Sequence, residues 1–220
     1  MKQPHPTLFS VVLGLAAVGT AQGAVVLSNL GQSSPGFDYV TGPGSAEVMH
    51  ATLFTTGNSA GGYQLESVSL GIRFSASDTV ANGFVRVDLY SSNRTTPNNL
   101  LSTLSGSSNP STTGTYQYTA TGVNLSPGTS YWVVARVTSG DSTYLWNYAQ
   151  DNTLTVNATG WSMNGTYADY RPGDGWVTDT GTPSLLAISA SPVPEPAEYA
   201  AVSALGLVGA AWLRRRRASR

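Results

Sequence analysis

The chain has 220 residues, 40% of them hydrophobic and only 10% charged, with 24 Gly, 12 Pro and no Cys, which suits one folded domain with appendages. A charged fraction this far below the roughly 25% of ordinary soluble domains, with a net charge of −1, excludes a coiled coil, a charge-driven disordered tail and a nucleic-acid-binding surface. Without Cys there are no disulfides and no thiolate metal sites.

The first 23 residues read as a secretory signal. Lys2 supplies the positive start, residues 8–18 are apolar, and Ala21-Gln22-Gly23 sets small residues three and one before a cut ahead of Ala24. The apolar run is too short to span a membrane core of roughly 30 Å. Between residues 24 and 192 five Arg face ten acids, a net charge of −5, and there is no Lys. An acidic body rich in Ser, Thr, Asn and Gly offers phosphate backbones no basic footprint, so no nucleic-acid partner is expected.

That body carries short alternating apolar runs separated by Gly, Asn, Ser, Pro and Asp, the pattern of an all-β domain. Strands are predicted at 24–28, 49–55, 64–74, 84–90, 116–121, 130–137, 143–148 and 185–189, with 57–62 and 93–99 as connecting loops and 105–114 as a low-complexity turn. Eight to ten such strands predict a β-sandwich, with the jelly roll as one form of it.

Val26-Leu27-Ser28-Asn29-Leu30-Gly31-Gln32, then 51–57 (Ala-Thr-Leu-Phe-Thr-Thr-Gly) leading through Gly61-Gly62-Tyr63, resembles the choice-of-anchor R domain. Val87-Asp88-Leu89-Tyr90 with Thr96-Pro97, the stretch 125–132, and Gly160-Trp161-Ser162-Met163 come in the same order. The resemblance implies an exported module whose location is fixed by its C-terminal tail; it brings no catalytic residues.

Residues that carry chemistry are sparse. His50 is the single His after residue 23, so any Ser-His-Asp triad would have to use it, and no Gly-x-Ser-x-Gly elbow accompanies it. A lone His beside a strand is more often structural. Glu47, Glu66 and the eight Asp would make a glycosidase only if two carboxyls converged at roughly 5 to 9.5 Å. Residues 169–179, Asp-Tyr-Arg-Pro-Gly-Asp-Gly-Trp-Val-Thr-Asp, gather oxygen ligands suited to Ca²⁺ but lack the alternating Asp spacing of a calcium loop. The simpler reading is a hairpin turn at Asp174-Gly175 with Asp169 paired to Arg171. No cofactor is therefore expected. Trp146, Trp161 and Trp176 offer flat faces to sugar rings, or else fill the core. Asn93, Asn124, Asn157 and Asn164 match Asn-x-Ser/Thr, which is taken as compositional chance.

The last 28 residues form a third segment, 193–220. Pro194-Glu195-Pro196 is succeeded by an apolar run, 197–213, broken only by Glu198, and then by Arg214, Arg215, Arg216 and Arg217. A helix over 197–213 covers roughly 25 Å at 1.5 Å per residue, and Trp212 and snorkelling arginines make up the mismatch. Arginines stay cytoplasmic, which predicts one transmembrane helix with the body outside. Pro-Glu-Pro, apolar helix and terminal Arg cluster, in that order, resemble the PEP-CTERM sorting signal of Gram-negative bacteria, which is read by the membrane transpeptidase-like exosortase. The expectation is an exported envelope or extracellular-matrix protein with a non-catalytic β-sandwich body. It is processed by signal peptidase and exosortase, starting as a single-pass inner-membrane precursor and ending at the cell surface. The alternatives are an exopolysaccharide-binding module and, third, an envelope glycan hydrolase.

Overall fold

Alternation of inward apolar and outward polar side chains builds strands along nearly the whole body. The computed structural model describes residues 23–43, 47–73, 84–140 and 142–194. Residues 1–22 of the expected signal peptide, Glu195, Pro196, the apolar run 197–213 and the arginines from 214 onward lie outside the described residues. Among the described residues every regular element is a strand. In chain order these are β1 (Ala24–Ser28), β2 (Gly36–Thr41), β3 (Met49–Thr55), β4 (Tyr63–Arg73), β5 (Val85–Asn93), β6 (Thr96–Gly106) and β7 (Gly114–Leu125). β8 (Ser130–Val137), β9 (Thr143–Tyr148), β10 (Val156–Asn157), β11 (Thr166–Arg171), β12 (Gly175–Thr180) and β13 (Leu186–Pro192) complete them.

The strands form one large antiparallel sheet, in the order β10-β1-β13-β4-β7-β6-β5-β8-β3-β11-β12, with the β2–β9 ribbon joined to β4 through Ile72 opposite Trp146. One core cluster takes Leu65, Val68 and Leu70 of β4 and Leu186 and Ile188 of β13 from one half of that order. From the other half it takes Phe54 of β3, Val87 and Leu89 of β5 and Val133 of β8. The two halves therefore face each other across shared apolar side chains. Each fully buried Leu, Ile, Val or Phe contributes roughly 1.5–3 kcal/mol, and with no Cys this burial has no disulfide to help it.

The outer face of the second half holds a smaller cluster, Ala51, Trp132, Val134 and Ala168, flanked by Tyr90 and Trp176. Beside it Asp88, fully buried, faces Arg86 Nε at 2.7 Å and Arg136 Nε at 3.0 Å. The second contact is an ion pair by distance but is misaligned for a hydrogen bond.

Two expectations are corrected. Residues 93–99 are not a loop: β5 and β6 are joined by a tight turn, Arg94 taking a positive φ of 59°, and β6 runs on through Gly106 into the stretch expected as a turn. β2, β10, β11 and β12 lie where the sequence predicts no strand, which raises the count to thirteen.

Candidate functional site

His50 sits where four elements meet. On β3 the residues His50, Thr52 and Phe54 share the inward face, and register places His50 directly opposite Asp169 on β11. The imidazole is fully buried. Its Nδ1 lies 2.7 Å from Asp169 Oδ1; a carboxylate only accepts, so Nδ1 carries the proton. Its Nε2 lies 2.8 Å from Ser184 Oγ and 3.3 Å from Asp38 Oδ2 on β2. Thr52 Oγ1 donates to Ser184 Oγ at 2.8 Å, leaving the serine's own proton free for Nε2 when the ring is neutral. With Nε2 protonated, Asp38 becomes the second carboxylate partner. Trp146 packs edge-on against the ring at 5.5 Å and Tyr167 lies tilted over it at 5.7 Å. Burial pushes the Asp38 carboxyl upward, the charge of His50 pulls it back, and Asp169 raises it further.

Ser184, His50 and Asp169 match the hydrogen-bond order of a hydrolase triad, but the burial is wrong for one. Ser184 is 1% exposed and His50 0%, and the serine oxygen already accepts from Thr52. Asp38 and Asp169 approach opposite sides of the same imidazole, so the ring fills the space a glycosidic bond would need.

The open part of the site lies beyond Asp169. The inner face of the β11–β12 hairpin runs past the core and leaves a cleft of about 280 Å³ lined by Tyr167, Asp169, Arg171, Asp174, Val177 and Asp179. The expected hairpin turn is present, with the Asp174 N–H donating to Arg171 O and Gly175 at a positive φ of 73°. The expected Asp169–Arg171 pair is not: Asp169 is held by His50, because antiparallel register sets the two directly opposite. No group of three or more acidic or His side chains among the described residues has metal-binding geometry.

The three tryptophans singled out for sugar stacking do not share a surface. Trp146 is 0% and Trp161 3% exposed; Trp146 Nε1 donates to Leu185 O, and Trp161 stacks on Phe54. Both are core residues, since their rings are the large apolar bodies that fill the sheet's interior. Trp176 alone is half-buried, and it meets Tyr170 at 62°, edge to face, which is no coplanar platform. Of the expected sorting motif Pro194 is described, just past β13. The His50–Asp169–Asp38–Ser184 network escapes sequence reasoning as a unit because its hydrogen-bonded members lie far apart in the chain, His50 and Ser184 by 134 residues. No protein-family model matches this chain, and a search of the curated proteins returns no match.

Proposed function

We propose that the protein is an exported, exosortase-processed envelope or extracellular-matrix component whose body is a non-catalytic β-sandwich. The observation that carries this reading is the order of segments along the chain: signal sequence, acidic Cys-free body, Pro194-Glu195-Pro196, apolar run and Arg214–Arg217. The sandwich form, of which the jelly roll is one type, is supported by the larger core cluster that both halves of the sheet share.

The placement of the body's ends supports the same reading. β1 starts at Ala24, the residue expected after signal cleavage, and lies antiparallel to β13 with Ala24 opposite Ala190, four residues before Pro194. Both processing sites therefore leave the body at one end of adjacent strands. That suits a precursor tethered through both ends, with the rest of the body held clear of the membrane. A non-catalytic role is supported by the burial of Ser184 and His50.

The experiment is fractionation of the native host with and without a Pro194→Ala, Glu195→Ala, Pro196→Ala replacement, with intact-mass measurement. The reading expects surface-located protein lacking the Arg tail, and in the replacement membrane-retained protein that begins at Ala24 and keeps the tail. Processing indifferent to the motif, or cytosolic protein, overturns it.

A further inference from the structure

We propose that the cleft on the inner face of the β11–β12 hairpin binds a non-acidic pyranose unit of a polysaccharide, at a site distinct from all three tryptophans. Only the biological source of that ligand rests on the export reading; the binding chemistry stands on the cleft. Its volume, about 280 Å³, lies just below the roughly 300–1,000 Å³ of drug-sized ligand pockets and has room for one ring.

The lining is two-sided in chemistry. Tyr167 presents an aromatic surface whose orientation is fixed from behind by the buried His50 ring, and Val177, 55% exposed, places an aliphatic side chain in the same cleft. These suit the C–H face of a pyranose, which needs a flat apolar partner. The remaining wall alternates acceptors with a donor fork. Asp169 is anchored through Oδ1 by His50, so its position is set before any ligand arrives. Asp179 accepts the Thr180 N–H through Oδ1 and also bonds the Tyr167 hydroxyl. Arg171 shares the cleft with three carboxylates and forms no ion pair with any of them among the described residues, which leaves its guanidinium to donate outward. Vicinal sugar hydroxyls, each both donor and acceptor, match such a mixed wall.

Charge selects the class of sugar. Three Asp against one Arg give the lining a net charge of −2, which repels uronates, sulfates and phosphates and favours neutral or amino-bearing rings. Pre-positioning by His50 spares binding the cost of ordering Asp169 and Tyr167.

The test is isothermal titration of the full-length protein, purified in detergent, with cellohexaose, mannohexaose, a glucosamine hexamer and hexagalacturonate. At least one of the first three is expected to bind and hexagalacturonate not. Arg171→Gln and Asp174→Asn, both on exposed positions, are expected to weaken binding by about tenfold each, one lost charge-assisted hydrogen bond, while Trp176→Phe leaves it unchanged. Binding of none of the three at millimolar concentration, binding of hexagalacturonate alone, or loss through Trp176 instead of Arg171 and Asp174 overturns the proposal. Failure here leaves the sorting experiment untouched, since that one reads location and mass alone.

Discussion

His50 holds β3 to β11 through Asp169, to β2 through Asp38 and to the segment before β13 through Ser184. Removing it strips partners from buried polar groups as well as leaving a cavity beside Trp146. His50→Ala is expected to lower stability by about 2–4 kcal/mol, measured by urea unfolding monitored through tryptophan fluorescence; a loss below about 1 kcal/mol would mean that the network is not structural. Asp38 adds a pH dependence of definite sign. Burial raises its folded pKa above the ordinary carboxyl value of 3.8, so the folded state holds this proton more tightly than the unfolded chain does. Its favourable contribution is complete below the unfolded pKa and is lost as pH rises through the folded one. Asp38→Asn, which removes the ionisation, should therefore gain stability relative to the parent as pH rises from about 3 to 7 in thermal melts. A relative loss over that range would put the carboxylate's attraction to His50 above its desolvation.

At the scale of elements, one side chain ties the residue just before β1 to β13. Glu66, at the irregularity in β4, accepts the Gly23 N–H through Oε2 and the Ser191 hydroxyl, at 2.9 Å, through Oε1. A Cβ on Gly23 would come within 2.5 Å of the Glu66 carboxyl carbon, so the backbone there runs tight against the acid. In a chain that retains Gly23, Glu66→Ala is expected to fray the start of β1, and hydrogen exchange at Val25 and Val26 should quicken by about tenfold while exchange in β8 is unchanged. Strands of this kind are readable from alternation alone. The predicted ranges 24–28, 49–55, 130–137 and 143–148 coincide with β1, β3, β8 and β9; in β8 and β9 every second residue is apolar and on the shared core, Tyr131, Val133, Ala135 and Val137 in the one and Tyr144 and Trp146 in the other. β6 is hidden because Asn98, Asn99, Leu100 and Leu101 are all exposed, so no alternation marks it. β11 and β12 are hidden because the polar residues Asp169, Arg171 and Asp179 occupy the face that lines the cleft, where an apolar alternation would otherwise mark a strand. The site itself depends on register across 119 residues, from His50 to Asp169, which no local pattern encodes.

At the scale of the whole molecule the decisive feature is that the first and last described strands are neighbours. β13 lies between β1 and β4, so the sheet closes only when residues 186–192 arrive to pair with both. Such non-local pairing makes folding slow and late. Under the export proposed above, the body would complete its fold only after nearly all of it had crossed the membrane, immediately before Pro194-Glu195-Pro196 emerges. β13 also carries Leu186 and Ile188, both 0% exposed, and Ala190 at 1%; the Leu and Ile alone bring roughly 3–6 kcal/mol of burial, against a total stability of roughly 5–15 kcal/mol for an ordinary domain. Two truncations separate the contribution of β13 from that of the C-terminal segment. A chain ending at Pro194 keeps every described strand and is expected to melt with the full-length protein. A chain ending at Leu185 leaves β1 and β4 without the strand between them, and should show no cooperative melt and rapid proteolysis. If the shorter chain still melted cooperatively near the parent temperature, β13 would be an accessory strand, and closure of the sheet would not wait for the end of the body.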